Sequence, residues 1–136
     1  MSDLLILPRQ IGDPDWNMAL DEALLLTAAP RRLPLLRFYG WTRPAATFGY
    51  SQRHADVAAT TRLRPLIRRP TGGGIVPHDQ DWTYSLTFPP THPWFDLSAV
   101  ESYRTVHEWI VAAFAVLGIP AETAPCCVKT APGQCF

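Results

Sequence analysis

Lysine is almost absent from this chain, and cysteine is confined to one end of it. Lys129 is the only lysine among 12 basic residues, and 12 acidic residues balance these to a formal charge of zero. A balanced charge argues against a general nucleic-acid binder. The three cysteines, Cys126, Cys127 and Cys135, are odd in number and have no Cys-x-x-Cys spacing. We therefore expect neither a disulfide framework nor a metal site built on cysteine.

Long hydrophobic runs are also missing. The run Leu4–Leu7 is too short for a signal peptide or a membrane-spanning helix. We therefore expect a cytoplasmic protein without a membrane partner. With 136 residues, the chain is long enough for one domain at most, covering residues 1–136.

The chemically most distinctive segment combines cations, consecutive glycines and a His-Asp pair. Its sequence is Arg68-Arg69-Pro70-Thr71-Gly72-Gly73-Gly74-Ile75-Val76-Pro77-His78-Asp79. Apolar pairs on both sides predict two strands joined by a glycine-rich turn, called the Gly loop below (residues 69–75). Three glycines leave a bare backbone that can lie against a ligand, and arginine forks match phosphate or carboxylate oxygens. The segment predicts an anion site, with an ordinary hairpin and solvated arginines as the alternative.

The remaining periodicities predict alternating helices and strands. Asp13-Pro14 is a helix start, and the apolar spacing that follows predicts that Trp16 faces the core while Asn17 and Asp21 lie on the other side. Ser98-x-x-Glu101 predicts a capping box that opens the longest helix, with an apolar stripe down to Leu117. Strands are predicted at three further places, namely Leu35–Tyr39, Ala45–Tyr50 and Trp82–Phe88.

The Gly-loop segment resembles the Arg-Arg-x-Ser/Thr-Gly-Gly-Gly-x-Val-x-His-Asp signature of the lipoate-protein ligase A family. That family is grouped with the biotin protein ligases and the octanoyltransferases. Three further segments resemble the family in the same order, and the matches run from about residue 15 to the end. These segments are Asn17–Leu24, Leu36–Pro44 together with Thr47–Gln52, and Asp81–Leu86. The resemblance implies an α/β (α+β) fold, with a mixed sheet flanked by helices.

The resemblance also implies a reaction. In family ligases, ATP with Mg²⁺ activates lipoate or octanoate as acyl-AMP, and the acyl group passes to the lysine of a lipoyl carrier domain. Such domains belong to 2-oxoacid dehydrogenases or to the glycine cleavage H protein. His78 would shape the acyl pocket or help proton transfer, with a structural hydrogen bond as the alternative. The positions implied to hold the nucleotide and the acyl-adenylate are Arg69, Thr71, Gly72, Gly73, Gly74, Ile75, Val76 and Pro77.

The octanoyltransferase branch of the family offers a second reaction. There a cysteine in a Cys-Phe context carries octanoate from acyl carrier protein as a thioester, without ATP or another cofactor. Cys135-Phe136 is similar to this context, so Cys135 is the candidate nucleophile. The alternative is that Cys135 is a small buried residue.

One departure from the family leaves enzymatic activity open. The family grips the adenylate with a lysine in a Gly-x-Lys-x-x-Gly segment, and Lys129 stands in a different context. The resemblance therefore implies an incomplete catalytic domain, about its N-terminal half. We expect either an enzyme completed by a second chain or a truncated fragment without catalysis.

Overall fold

A computed structural model describes residues 3–79 and 81–123 of the chain. The described part alternates short strands with helices, as the periodicities predict. In chain order the elements are β1 (Leu5–Gly12), α1 (Pro14–Leu26), α2 (Ala28–Arg31), β2 (Leu35–Trp41), β3 (Ala45–Phe48), α3 (His54–Thr60), β4 (Leu66–Arg68), β5 (Val76–His78), β6 (Thr83–Thr87) and α4 (Ala99–Val116).

The strands form two small mixed sheets. In the first sheet, ordered β1-β2-β6, β2 runs parallel to β1 and antiparallel to β6. In the second sheet, ordered β4-β3-β5, β3 runs parallel to β4 and antiparallel to β5. The predicted class, a mixed sheet with flanking helices, is confirmed, although the strands divide between two sheets.

Helix α1 begins where the sequence predicts it. Asp13 caps the helix by accepting a hydrogen bond from the backbone N–H of Asp15, and Pro14 follows in the first turn. The predicted inward face, however, is wrong. Trp16 is 60% exposed, whereas Asn17 is fully buried. The reason is a buried cation that the polar side of this helix contacts.

That cation is Arg37 on β2, which is only 1% exposed. Its guanidinium donates to Oδ1 of Asp21 at 2.7 Å and to Oδ1 of Asn17 at 2.6 Å. Asp21 also accepts hydrogen bonds from the hydroxyls of Tyr39 and Ser85. A buried charge is tolerated only when it is paired and hydrogen-bonded, so α1 must turn its polar residues toward the sheet.

Helix α4 begins with the predicted capping box, in which Ser98 and Glu101 exchange hydrogen bonds. It ends before Gly118, whose φ of 71° is one that glycine adopts without strain. The helix contains no buried residue, and its apolar stripe lies on the surface of the described part, with Val100 80% and Leu117 70% exposed. Among the described residues, no helix has both the length and the apolar character needed to cross a membrane.

Candidate functional site

The Gly loop lies over the carboxyl end of β3. It connects β4 to β5, and both strands pair with β3. The turn that follows β3 therefore meets the loop. The backbone N–H of Tyr50 donates to the carbonyl of Thr71 at 3.0 Å, and the N–H of Arg69 donates to the carbonyl of Phe48 at 2.8 Å. The two segments form one backbone surface at this end of the second sheet.

Two glycines on one side of this surface are required by its geometry. A Cβ added to Gly49 would overlap the carbonyl oxygen of Gly73 and would lie 2.9 Å from its carbonyl carbon. Gly73 itself has a φ of 92°, in the region that favours glycine. Gly72 differs from both, because a Cβ added there would meet no atom of the described residues within 4 Å. Gly72 therefore marks the open side of the loop.

The arginines at the start of the segment brace this surface. The guanidinium of Arg69 donates to the carbonyls of Gly72 at 3.0 Å and Gly74 at 2.9 Å. The guanidinium of Arg68 donates to the carbonyls of Tyr50 and Gln52 at 2.6 Å each. The structure thus places both cations against the protein's own backbone. Their role in holding a ligand stays a prediction.

His78 lies behind the loop and is only 3% exposed. Its Nε2 is 2.9 Å from Oγ1 of Thr47, and its Nδ1 is 2.8 Å from Oδ2 of Asp81. Trp41 stacks on the imidazole, with the ring centroids 3.9 Å apart. Burial lowers the pKa of His78 from its ordinary value, and the carboxylate of Asp81 opposes this shift. Both ring nitrogens are engaged in hydrogen bonds inside the protein, so a catalytic role for His78 stays a prediction.

Sequence reasoning missed Thr47 and Asp81 as site residues. Asp79, which follows His78 directly, is exposed, and the ion pair of His78 forms with Asp81. Both missed residues stand in segments that resemble the lipoate-protein ligase A family, and this was the signal available in the sequence. Their contacts with His78 form only because the fold brings β3, β5 and β6 together.

The other predicted site residues lie on or beside the loop. Thr71 and Pro77 are exposed, Gly74 is buried, and Ile75 and Val76 are half-buried. Tyr50 is 68% exposed beside the loop. Cys135 lies outside the described residues. Within residues 3–79 and 81–123, no group of three or more His, Cys, Asp or Glu side chains could hold a metal ion.

Known proteins resemble this chain over most of its length. A family model described as the lipoyl protein ligase A/B catalytic domain matches residues 13–130. Octanoyltransferase LipM of Anoxybacillus flavithermus is 40% identical over 113 residues, which cover 79% of this chain and 41% of that protein. The chain thus spans about two fifths of the length of this relative.

Two solved structures share the fold. One is lipoate-protein ligase A bound with ATP, at 27% identity and a TM-score of 0.65, covering 96% of this chain and 53% of the other. The second is a bi-partite lipoate protein ligase from Thermoplasma acidophilum, described together with its E2 lipoyl domain. It has 27% identity and a TM-score of 0.66, covering 91% of this chain and 49% of the other.

Proposed function

Because the chain belongs to the lipoyl protein ligase A/B catalytic domain family, we propose that it supplies the acyl-binding part of an enzyme. That enzyme transfers an octanoyl or lipoyl group to the lysine of a lipoyl carrier domain. The observation that carries the proposal is the geometry of the Gly loop. Contacts within the protein hold its inner side, and its outer side has no side chain at Gly72. Arg69 and Gly49 fix its inner side, while Gly72 faces space that no other described residue occupies. Such a backbone can lie against an acyl group without a side chain between them.

The charge of this region suits the chemistry of acyl transfer. When an amine attacks an acyl carbonyl, negative charge develops on the carbonyl oxygen, and fixed donors or cations lower the barrier. Arg68 and Arg69 hold two positive charges within the loop and its adjoining turn. Because both side chains are already anchored to backbone carbonyls, little reorganisation would accompany the reaction.

The first candidate reaction is octanoyl transfer from acyl carrier protein, and the 40% identity to an octanoyltransferase favours it. In this reaction the thiolate of Cys135 attacks the octanoyl thioester and releases the carrier as its thiolate. The amine of the lipoyl-domain lysine then attacks the new thioester, the Cys135 thiolate leaves, and the proton that the amine loses passes to the carrier thiolate. No cofactor is consumed.

The second candidate is ATP-dependent ligation, which the similarity to a ligase solved with ATP favours. ATP with Mg²⁺ would supply activation of free octanoate or lipoate as acyl-AMP. The open backbone at Gly72 fits a bulky anionic ligand, and Arg69, Thr71 and residues 72–77 would hold it. Thr71 is exposed and Gly72 has no Cβ, so the outer side of the loop has room for such a ligand.

The proposed partners follow from the similarity to the second solved structure. The Thermoplasma acidophilum ligase is bi-partite and is described with an E2 lipoyl domain. For this chain we propose lipoyl domains of 2-oxoacid dehydrogenases, or the glycine cleavage H protein, as acceptors in the cytoplasm. We also propose a further polypeptide part that completes the catalytic domain, because the chain spans 41% of its octanoyltransferase relative.

A fusion protein tests the proposal. This chain is joined to the remaining, C-terminal part of octanoyltransferase LipM of Anoxybacillus flavithermus and is incubated with an apo lipoyl domain. One reaction contains octanoyl-acyl carrier protein without ATP, and the other contains octanoate, ATP and Mg²⁺. Intact mass spectrometry then measures octanoylation of the domain, with the unfused chain as the control, for which we expect no transfer.

The outcomes separate the candidates. Octanoylation in the first reaction alone supports the transferase, and Cys135→Ser should abolish it. Octanoylation that requires ATP supports the ligase. If the fusion is folded and neither reaction modifies the lipoyl domain, the proposed function is wrong.

A further inference from the structure

A continuous series of hydrogen bonds links the Gly loop to the first sheet. It starts at Arg69, whose Nη1 donates to Oγ1 of Thr47 at 2.8 Å. Thr47 contacts His78 at 2.9 Å, and His78 contacts Asp81 at 2.8 Å. Asp81 also accepts from the hydroxyl of Thr83 at 2.8 Å. The series joins β3 and β5 of the second sheet to β6 of the first.

The series continues from Thr83 into β2. Nε1 of Trp41 donates to Oγ1 of Thr83 at 2.9 Å, and the Trp41 ring stacks on His78 at 3.9 Å. The indole therefore supports the imidazole by packing and supports the Asp81 carboxylate through Thr83. The loop and the first sheet cannot move independently without breaking at least one of these contacts.

For a neutral imidazole, the two ends of the series determine the direction of every hydrogen bond in it. Arginine and the indole N–H can only donate, and an ionised carboxylate can only accept. Thr47 accepts from Arg69, so its own proton is available for Nε2 of His78. The imidazole then carries its proton on Nδ1 and donates it to Asp81. The series is self-consistent with a neutral His78 in the Nδ1–H tautomer.

We propose that Thr47 and Asp81 are positioning residues for acyl transfer, which hold Arg69, and through it the Gly loop, by way of His78. This inference rests on the proposed function and adds two residues to it. It also states the order in which these residues position one another, from Asp81 to Arg69. Asp81 fixes the tautomer of His78, Nε2 of His78 fixes the hydroxyl of Thr47, and Oγ1 of Thr47 fixes the guanidinium of Arg69. The guanidinium then holds the carbonyls of Gly72 and Gly74.

A second feature of Asp81 points the same way. Its Oδ1 is buried and has no hydrogen-bond partner among the described residues, whereas Oδ2 accepts hydrogen bonds from both His78 and Thr83. A buried oxygen without a partner costs stability. The orientation of the carboxylate directs both of its hydrogen bonds to Oδ2, the oxygen that belongs to the series.

Substitutions at Thr47 test the proposal through ligand affinity. Thr47→Val removes the hydroxyl with little change of shape, and Thr47→Ser keeps it. Titration calorimetry of the chain with octanoic acid measures the effect. Octanoic acid is the free acid of the octanoyl group, which is common to both candidate reactions. We expect Thr47→Val to weaken binding by about tenfold or more, as for loss of a charge-assisted hydrogen bond, and Thr47→Ser to restore it.

A buried threonine elsewhere provides the matched control. Thr87 is also buried and accepts a 2.7 Å hydrogen bond from Nη2 of Arg31, at the end of β6 away from Thr83. Thr87→Val should lower the free energy of unfolding without changing octanoic acid affinity. If Thr87→Val and Thr47→Val weaken binding equally, or if Thr47→Val binds as the unmodified chain does, the positioning role is wrong.

Nitrogen-15 NMR of labelled imidazoles tests the series without any ligand. The signals of His78 are assigned from their loss in His78→Gln. We expect a neutral ring with the proton on Nδ1, and a shift toward the Nε2–H tautomer in Asp81→Ala, a change at a side chain that is 34% exposed. An Nε2–H tautomer in the unmodified chain, or no change in Asp81→Ala, would overturn the inference.

The two measurements also separate this inference from the proposed function. If the unmodified chain shows the expected tautomer but binds no octanoic acid, the acyl-binding function fails while the hydrogen-bond series stands. If Thr47→Val does not fold, the tautomer and octanoic acid affinity of Asp81→Ala decide the positioning role. In that variant, unchanged affinity refutes the role.

Discussion

The contact between Gly49 and the Gly loop gives the sharpest test of how the loop is held. A Cβ at Gly49 would overlap the carbonyl oxygen of Gly73 and would lie 3.0 Å from the carbonyl carbon of Gly72. Each of these atoms belongs to the backbone, so no flexible side chain can move aside. In Gly49→Ala the loop must retreat by about 1.4 Å or more to reach ordinary van der Waals separation.

This retreat has a cost that can be estimated. Overpacking of a tight site costs about 1–3 kcal/mol, and displacement of the loop also weakens the two hydrogen bonds from Arg69 to Gly72 and Gly74. We therefore expect Gly49→Ala to lower the free energy of unfolding by about 2–4 kcal/mol. Gly72→Ala is the control, since its Cβ enters open space. It should change stability by less than about 1 kcal/mol.

Urea unfolding of the two variants, followed by tryptophan fluorescence, measures both effects. Octanoic acid affinity should fall in Gly49→Ala even under conditions where the variant is fully folded. If Gly49→Ala is as stable as Gly72→Ala and binds octanoic acid normally, the loop is not braced against Gly49 as described.

Three further predictions concern other parts of the chain. Arg37→Met should lower the free energy of unfolding by about 3–5 kcal/mol in urea, because it leaves the carboxylate of Asp21 without its buried cation; a loss below about 1 kcal/mol would contradict this. Because burial lowers the pKa of His78 below its ordinary value near 6.5, the unfolded state binds this proton first as the pH falls. The free energy of unfolding should therefore decrease below about pH 6.5 toward the folded-state pKa, and less steeply in His78→Gln, as urea titrations at several pH values would show; parallel profiles would refute it. The exposed apolar stripe of α4 should make the isolated chain self-associate. Val116→Lys, at a position that is 88% exposed, should reduce the mass measured by light scattering without loss of stability. A monodisperse monomer before substitution would contradict this prediction.

Local signals in the sequence predicted local structure well. The helix starts at Asp13-Pro14 and at Ser98 were found because a cap involves residues only a few positions apart. The glycine-rich connection between two strands was found for the same reason, since consecutive glycines between apolar pairs have few other structures. The family signature added the expectation of a mixed fold, which the sheet pairing confirms.

Features that depend on distant partners were not predicted. Periodicity placed Asn17 and Asp21 outward. This prediction failed because both residues contact the buried Arg37, which lies 20 and 16 residues away in the sequence. A structural hydrogen bond was one of the alternatives for His78, but its partners Thr47 and Asp81 were not named, because only the fold brings them together. The sequence shows an apolar stripe on α4, but periodicity alone cannot tell whether a covering surface is present.

The central claim is that the open side of the Gly loop holds the acyl group that is transferred. The most direct measurement is the rate of octanoyl transfer to a lipoyl domain by the fusion protein, compared between the unmodified chain and Gly72→Phe. The phenyl group would extend into the space that we assign to the acyl group, where an added Cβ meets no atom of residues 3–79 or 81–123. We expect transfer to fall by at least about 100-fold while the free energy of unfolding changes by less than about 1 kcal/mol. Equal transfer rates in the two proteins would show that the acyl group binds elsewhere.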